Sequence, residues 1–203
     1  RSISFIDRQN GWAAADGYEN QGQVNRLYRT ADGGRTWREI ARHEGVRFDW
    51  MDFADGQTGY VGSHRGPLEV THDGGLTFEF LGVSGTQLRF ISPNLGWMID
   101  GDTIKATSNG AKSWTELPRL PQRPLSFDLM PDGTAWVLAG NPTQPELYAT
   151  SDGGQTWRQF NLGDLHPWKV KAGPGGQAWI WDSINRQFST EDGGRTWRGV
   201  TLP

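Results

Sequence analysis

Thr150–Trp157 reads Thr-Ser-Asp-Gly-Gly-Gln-Thr-Trp, and the same eight-residue pattern recurs along the chain as Thr30–Trp37 (TADGGRTW), Thr71–Phe78 (THDGGLTF), Thr107–Trp114 (TSNGAKSW) and Thr190–Trp197 (TEDGGRTW). The closing aromatics are 36 to 43 residues apart, a period that belongs to stacked supersecondary units rather than to one irregular core. Each stretch has the chemistry of a tight turn. Its Asp can accept backbone N–H groups, the second Gly supplies a positive φ, and the flanking hydroxyls satisfy what remains.

A second pattern precedes each turn: an apolar residue, a run rich in Asp, Asn, Pro and Gly, then Gly or Ala followed by an aromatic. It reads Phe5–Trp12 (FIDRQNGW), Phe53–Tyr60 (FADGQTGY), Phe90–Trp97 (FISPNLGW), Leu129–Trp136 (LMPDGTAW) and Ala172–Trp179 (AGPGGQAW). Together the two patterns spell strand, turn, strand, loop, strand, tight turn, strand, which is a meander. Repeated meanders of this length predict an all-β fold, a β-propeller of five four-stranded antiparallel blades, which hides sheet edges by radial packing. The blades are expected near 2–41, 46–82, 86–118, 124–162 and 167–203, as one domain over 1–203. Eight of the 11 Trp fall on the two repeated aromatic positions, with Tyr60 and Phe78 completing both sets, so all ten rings are expected between neighbouring blades.

A net charge of −3 and a pI near 5.8 give no general attraction for nucleic acid. The absence of cysteine excludes disulfides, thiolate metal sites and cysteine nucleophiles. No stretch approaches the roughly 18 apolar residues of a membrane span, and no metal or cofactor motif is present. The chain opens on Arg1 rather than Met, which leaves a removed leader open, as it leaves the oligomeric state.

The turn pattern resembles the Asp-box, or bacterial neuraminidase repeat, with Asp32, Asp73, Asn109, Asp152 and Asp192 at the acidic position. The third copy departs from it, with Asn109 for Asp and Ala111 for Gly, so its turn is expected to be weaker or differently shaped. Such repeats occur in sialidases, sortilin-type receptors, xyloglucanases and propellers similar to the photosystem II stability/assembly factor. The combined cadence is most similar to the last group. That resemblance implies a non-catalytic scaffold that binds a protein partner, in the periplasm or secreted, or in the thylakoid lumen of a phototroph. A lectin-like, carbohydrate-binding propeller is the alternative, ahead of a glycoside hydrolase.

In a meander the repeated turns share one end of the sheets, so recognition is expected at the other end. There the spacing from the second-strand aromatic to the turn aromatic is longest in the first and fourth repeats, and insertions on one face of a repeat array mark binding faces. The candidates there are Tyr18, Arg42, His43, Arg47, His64, Arg65, Arg119, Arg123 and Trp168, with Asn141 to Pro145 and His166. Trp50, Trp168 and Trp181 stand outside the repeated aromatic positions, which leaves each open to recognition or to local packing. Aligned first strands give a row of polar residues, Ser4, Asp52, Arg89, Asp128 and Lys171, expected in or near a central channel as a charged ring, paired among themselves or binding a ligand.

Among enzymes, a sialidase needs a Phe/Tyr-Arg-Ile-Pro segment that the chain lacks. A hydrolase needs two carboxylates, for which Asp52 and Asp128 are the only pair this reading offers. The stretch Gly173–Ala178 mimics a dinucleotide fingerprint but joins two predicted strands and opens no helix. No catalytic residue is assigned.

Overall fold

Each repeat returns on itself at its Gly- and Asp-rich turns and forms one antiparallel sheet with its strands in chain order. The computed structural model describes residues 2–19, 22–44, 48–63, 66–141, 143–182, 184 and 186–200, with the side chains at 18, 19, 22, 23 and 44 outside that description. The first sheet holds β1 (Ser2–Phe5), β2 (Gly11–Glu19), β3 (Gly22–Thr30) and β4 (Arg38–Glu44). The second holds β5 (Trp50–Phe53), β6 (Gly59–Gly62), β7 (Glu69–Thr71) and β8 (Glu79–Phe80), and the third β9 (Gln87–Phe90), β10 (Gly96–Asp100), β11 (Thr103–Thr107) and β12 (Thr115–Glu116). The fourth holds β13 (Pro124–Leu129), β14 (Ala135–Asn141), β15 (Gln144–Thr150) and β16 (Arg158–Phe160), and the fifth β17 (Pro167–Ala172), β18 (Ala178–Asp182), β19 (Gln187–Thr190) and β20 (Arg198–Val200). Among the described residues there is no α-helix, only a 3-10 turn at Pro174–Gly176, and no helix long and apolar enough to cross a membrane. The chain divides into two compact units, Arg1–Met98 with Thr107–Trp114, and Ile99–Ala106 with Thr115–Pro203.

The Gly or Ala before each second-strand aromatic follows from the residue across the ladder. Phe5 faces Gly11 and Phe53 faces Gly59, and a Cβ on either glycine would lie within 2.7 Å of the opposing ring. Where the opposing residue shrinks to Leu129 or Ala172, Ala135 and Ala178 take the glycine's place.

In the first unit the freed rings stack between sheets. Trp12 lies flat on Phe53 with centroids 3.9 Å apart, and Tyr60 on Phe90 at 3.6 Å. The Trp12 Nε1 donates to the Gly74 carbonyl at 2.9 Å and the Tyr60 hydroxyl to the Pro93 carbonyl at 2.9 Å, so each ring also fixes a turn of the following sheet. In the second unit Ala172 offers no ring to stack on, and Trp136 packs against Phe160 and edge-on against Trp197 instead.

The repeated turn pattern closes the bend between third and fourth strands in one way. In the fourth copy the Thr150 hydroxyl donates to Asp152 Oδ1 at 2.6 Å and accepts from Asp152 N and Gly154 N. Asp152 also accepts from the backbone and hydroxyl of Thr156, and the first, second and fifth copies repeat these bonds. The third copy keeps the shape, against the expectation that its substitutions reshape it. Asn109 Oδ1 accepts from Ser113 N at 3.0 Å, and its Nδ2 now donates to Ser113 Oγ at 2.8 Å, where an Asp would accept. Ala111 bears the cost of that fit, with a φ of 65° that glycine holds elsewhere.

The repeated rings pack to different depths. Trp12, Tyr60, Trp97 and Trp136 are buried, but Trp179 and all five turn aromatics, Trp37, Phe78, Trp114, Trp157 and Trp197, are half-buried. The turn aromatics immediately precede or open the fourth strand, the edge of each sheet, where a ring has fewer neighbours than on an inner strand. The extra length of the first and fourth repeats lies in their second and third strands. It extends the ladder, with β2 paired to β3 over nine residues and β14 to β15 over seven.

Candidate functional site

At the end of the fourth sheet away from its repeated turn, the lengthened β14–β15 hairpin stands beside the chain that leads from β16 into β17. Between them lies a cleft of about 470 Å³ lined by Gln122, Asn141, Gln144, Glu146, Asp164 and His166 over Pro145 and Leu165. Local bonds shape both walls. Asn141 Oδ1 accepts from the backbone and hydroxyl of Thr143 at 3.0 Å, while Asn161 Oδ1 accepts from Gly163 N at 2.8 Å and Leu165 N donates to the Leu162 carbonyl at 3.1 Å. Gly140, at φ 102°, donates its N–H to the Arg123 carbonyl at 2.8 Å, which ties the hairpin to the segment that carries Gln122.

Glu146 forms the inner wall, where it accepts from Gln159 Nε2 at 3.2 Å and from the Tyr148 hydroxyl. Burial, helped by Glu146, pushes the Tyr148 hydroxyl well above the usual range, so it stays protonated and donates. The cleft thus offers carboxamides, an imidazole and two carboxylates above an apolar floor. Among the described residues no group of three His, Asp or Glu side chains is placed to hold a metal ion.

Of the sequence candidates, Asn141, Gln144, Pro145 and His166 meet in this cleft. Arg123 lies on its Gln122 side, its guanidinium 3.4 Å from Asp102, and Arg119 reaches Glu116 at 3.9 Å. Both pairs are exposed and contribute little. Trp168 is 56% exposed and donates its Nε1 to the Asp182 carbonyl at 3.0 Å. In the first unit Arg42 pairs with Glu39 at 2.6 Å. His43 is drawn inward against Phe48 and Phe78, its Nε2 4.0 Å from the buried Glu69, whose carboxyl burial pushes up. Arg47, His64, Arg65 and the side chain of Tyr18 lie outside the described residues.

The aligned polar row acts as a set of buckles between neighbouring first strands. Ser4 Oγ accepts from Phe53 N at 2.9 Å, Asp52 Oδ2 from Phe90 N at 2.5 Å, and Asp128 Oδ2 from Ala172 N at 3.1 Å. In each case the donor follows the residue equivalent to the acceptor. Arg89 pairs with Asp52 at 2.8 Å and Lys171 with Asp128 at 3.4 Å. Asp52 and Asp128 are therefore each engaged in holding strands.

Gln122, Glu146, Asp164 and Leu165 are not among the sequence candidates, which rest on Arg, His and aromatic side chains and on the long spacing between second and third strands. The available signal was the turn-forming Asn161-Leu-Gly-Asp164 run between the fourth and fifth repeats.

No protein-family model and no curated protein matches the chain. Solved structures do. A structure of YCF48 bound to D1 peptide aligns with a TM-score of 0.68 at 20% identity, over 97% of this chain and 66% of that one. YCF48 from Cyanidioschyzon merolae aligns with a TM-score of 0.68 at 16% identity, over 98% of this chain and 70% of that one. The GH74 xyloglucanase from Xanthomonas campestris also gives 0.68 at 16% identity, over 98% of this chain but only 38% of the enzyme. The chain thus spans about two thirds of the YCF48 chains and little more than a third of the xyloglucanase. At these identities the likeness is one of fold, the β-propeller.

Proposed function

We propose that the chain is a non-catalytic scaffold that binds a polypeptide partner in the cleft between the β14–β15 hairpin and the 161–167 segment. The lining carries the reading. Gln122 and Gln144 each offer a donor and an acceptor and Asn141 adds an amide donor, which is what an extended backbone needs, while Pro145 and Leu165 supply an apolar floor. The likeness to a YCF48 structure that holds a peptide supports the same class of partner. The turn bonds support membership of the Asp-box repeats, and the assembly-factor resemblance carries an exported setting with it, periplasmic or secreted.

A carbohydrate reading has one observation of its own, the 56% exposed ring of Trp168, a surface on which a sugar can stack. Selecting binders from a random peptide library on the purified protein, beside a glycan array, separates the two. The peptide reading expects selected peptides whose affinity falls at least about tenfold in both Gln144→Ala and His166→Ala. Glycan binding that is lost in Trp168→Ala, with no peptide selected, overturns it.

A further inference from the structure

The next-to-last residue of the third strand and the first of the fourth face each other at an equivalent position in every repeat. The pairs are Arg29 with Arg38, Val70 with Glu79, Ala106 with Thr115, Ala149 with Arg158 and Ser189 with Arg198. Four pairs set at most one charge against a neutral partner. The first sets two arginines directly opposite one another in the ladder, an unfavourable pairing of like charges.

Among the described residues no acid forms an ion pair with either arginine. The acids flanking them in sequence are engaged: Asp32 by the Thr30 and Thr36 hydroxyls and Thr36 N, Glu39 by Arg42 and Tyr28. Arg29 lies 5.1 Å from the Trp12 ring centroid, a contact that orients its guanidinium without neutralising it. Both arginines line an open cleft of about 490 Å³ with Thr30, Ala31, Thr36 and Trp37. The Trp37 Nε1 is spent on the Gly34 carbonyl at 3.1 Å, so its ring presents hydrocarbon rather than a donor. The equivalent cleft of the fifth repeat is about 210 Å³ and has Ser189 for Arg29 and Glu191 for Ala31, one cation fewer and one acid more.

From this we infer that the first repeat binds a carboxylate between Arg29 and Arg38, carried by an acidic, extended peptide segment. Guanidinium forks match a carboxylate's two oxygens. With the Asp32 carboxylate in the same turn, the two arginines leave about one net positive charge, which suits a monoanion better than a doubly charged phosphate. A peptide is favoured over a free ion because β4, on the edge of its sheet, runs for seven residues where the other fourth strands run for two or three. A long edge strand is a template for an added strand. The site is built from the first unit and the cleft proposed above from the second, so either can fail while the other stands.

The test is an NMR titration of the whole chain, observing arginine Nε–H signals, with acetyl-Val-Thr-Glu-Val-Thr-amide, its Gln counterpart, inorganic phosphate and glucuronate. The Glu peptide is expected to shift the signals of Arg29 and Arg38 and to bind at least about tenfold more tightly than the Gln peptide. Arg38→Gln and Arg29→Gln are expected to lose that advantage and Arg198→Gln to keep it. Because Arg38 is exposed and faces another arginine, Arg38→Gln is expected to melt no lower than the parent, so weaker binding is not unfolding. Equal affinity for the two peptides, an equal loss in Arg198→Gln, or tighter binding of phosphate or glucuronate than of the Glu peptide overturns the assignment.

Discussion

The two ends of the sheets obey different rules. At the turn end, five copies of one eight-residue pattern make one closure, and Asn109 and Ser113 keep it with only the side-chain bond reversed, Asn109 Nδ2 donating to Ser113 Oγ. At the other end the repeats differ in length. The first runs a nine-residue hairpin, the fourth a seven-residue hairpin that walls a cleft, and the second and third are short. A constraint that tolerates chemical substitution but not a change of shape belongs to folding, whereas variation in length and polarity on a fixed frame belongs to recognition.

The sharpest break in that comparison is expected in the core that the turns support. Trp136→Ala, at a ring 1% exposed, is expected to cost about 3–5 kcal/mol in urea unfolding. Trp157→Ala, at a half-buried ring that gives its Nε1 to the Pro118 carbonyl at 3.0 Å, is expected to cost about 1–2 kcal/mol. Equal losses would mean that the turn aromatics are core after all.

Next in size is a glycine pair within the turns. Gly194 and Gly153 have similar φ values of 83° and 72°, but a Cβ on Gly194 would meet Trp136 and Phe160 at 2.7 Å, while one on Gly153 meets nothing within 4 Å. Gly194→Ala is expected to lose at least about 2 kcal/mol by thermal unfolding and Gly153→Ala about 1 kcal/mol. The difference isolates packing from backbone strain.

The smallest effect separates the third turn from the others. Bonds from Thr36, then from Thr30, lower the Asp32 carboxyl from 3.8 to about 2, and Asp73, Asp152 and Asp192 are lowered further by their own turn hydroxyls and backbone N–H groups. A depressed folded value stabilises above the unfolded value of 3.8, and that stability is lost as pH falls toward about 2 and below. Asp152→Asn is expected to flatten the acid limb of the stability curve relative to the parent, and an unchanged slope would show that the carboxylate is not favoured by folding.

Much of this organisation is legible in the sequence because it is periodic. Turn residues, the Gly or Ala beside each inner aromatic and the alternation of strands repeat at one spacing, so five meanders and the pairing partners of the polar row can be read by alignment. What escaped has no period. The half-burial of Trp37 or Trp114 depends on its place at a sheet edge, and the meeting of Gln122, Glu146 and Asp164 depends on how two connections in the fourth and fifth repeats approach each other. The repulsive Arg29–Arg38 pair needed the strand register, which sequence spacing leaves free by a residue or two.

The most direct test of the division between fold and recognition measures stability and peptide affinity on the same two proteins. Thr150→Val removes the hydroxyl that closes the fourth turn and is expected to cost about 1–3 kcal/mol in urea unfolding, with the affinity for a selected peptide unchanged below the transition. Gln144→Ala with His166→Ala, at exposed positions of the cleft, is expected to change stability by less than about 0.5 kcal/mol and to lose at least about tenfold in affinity. A turn variant that abolishes binding while still folded, or a cleft variant that unfolds while still binding, would contradict the account.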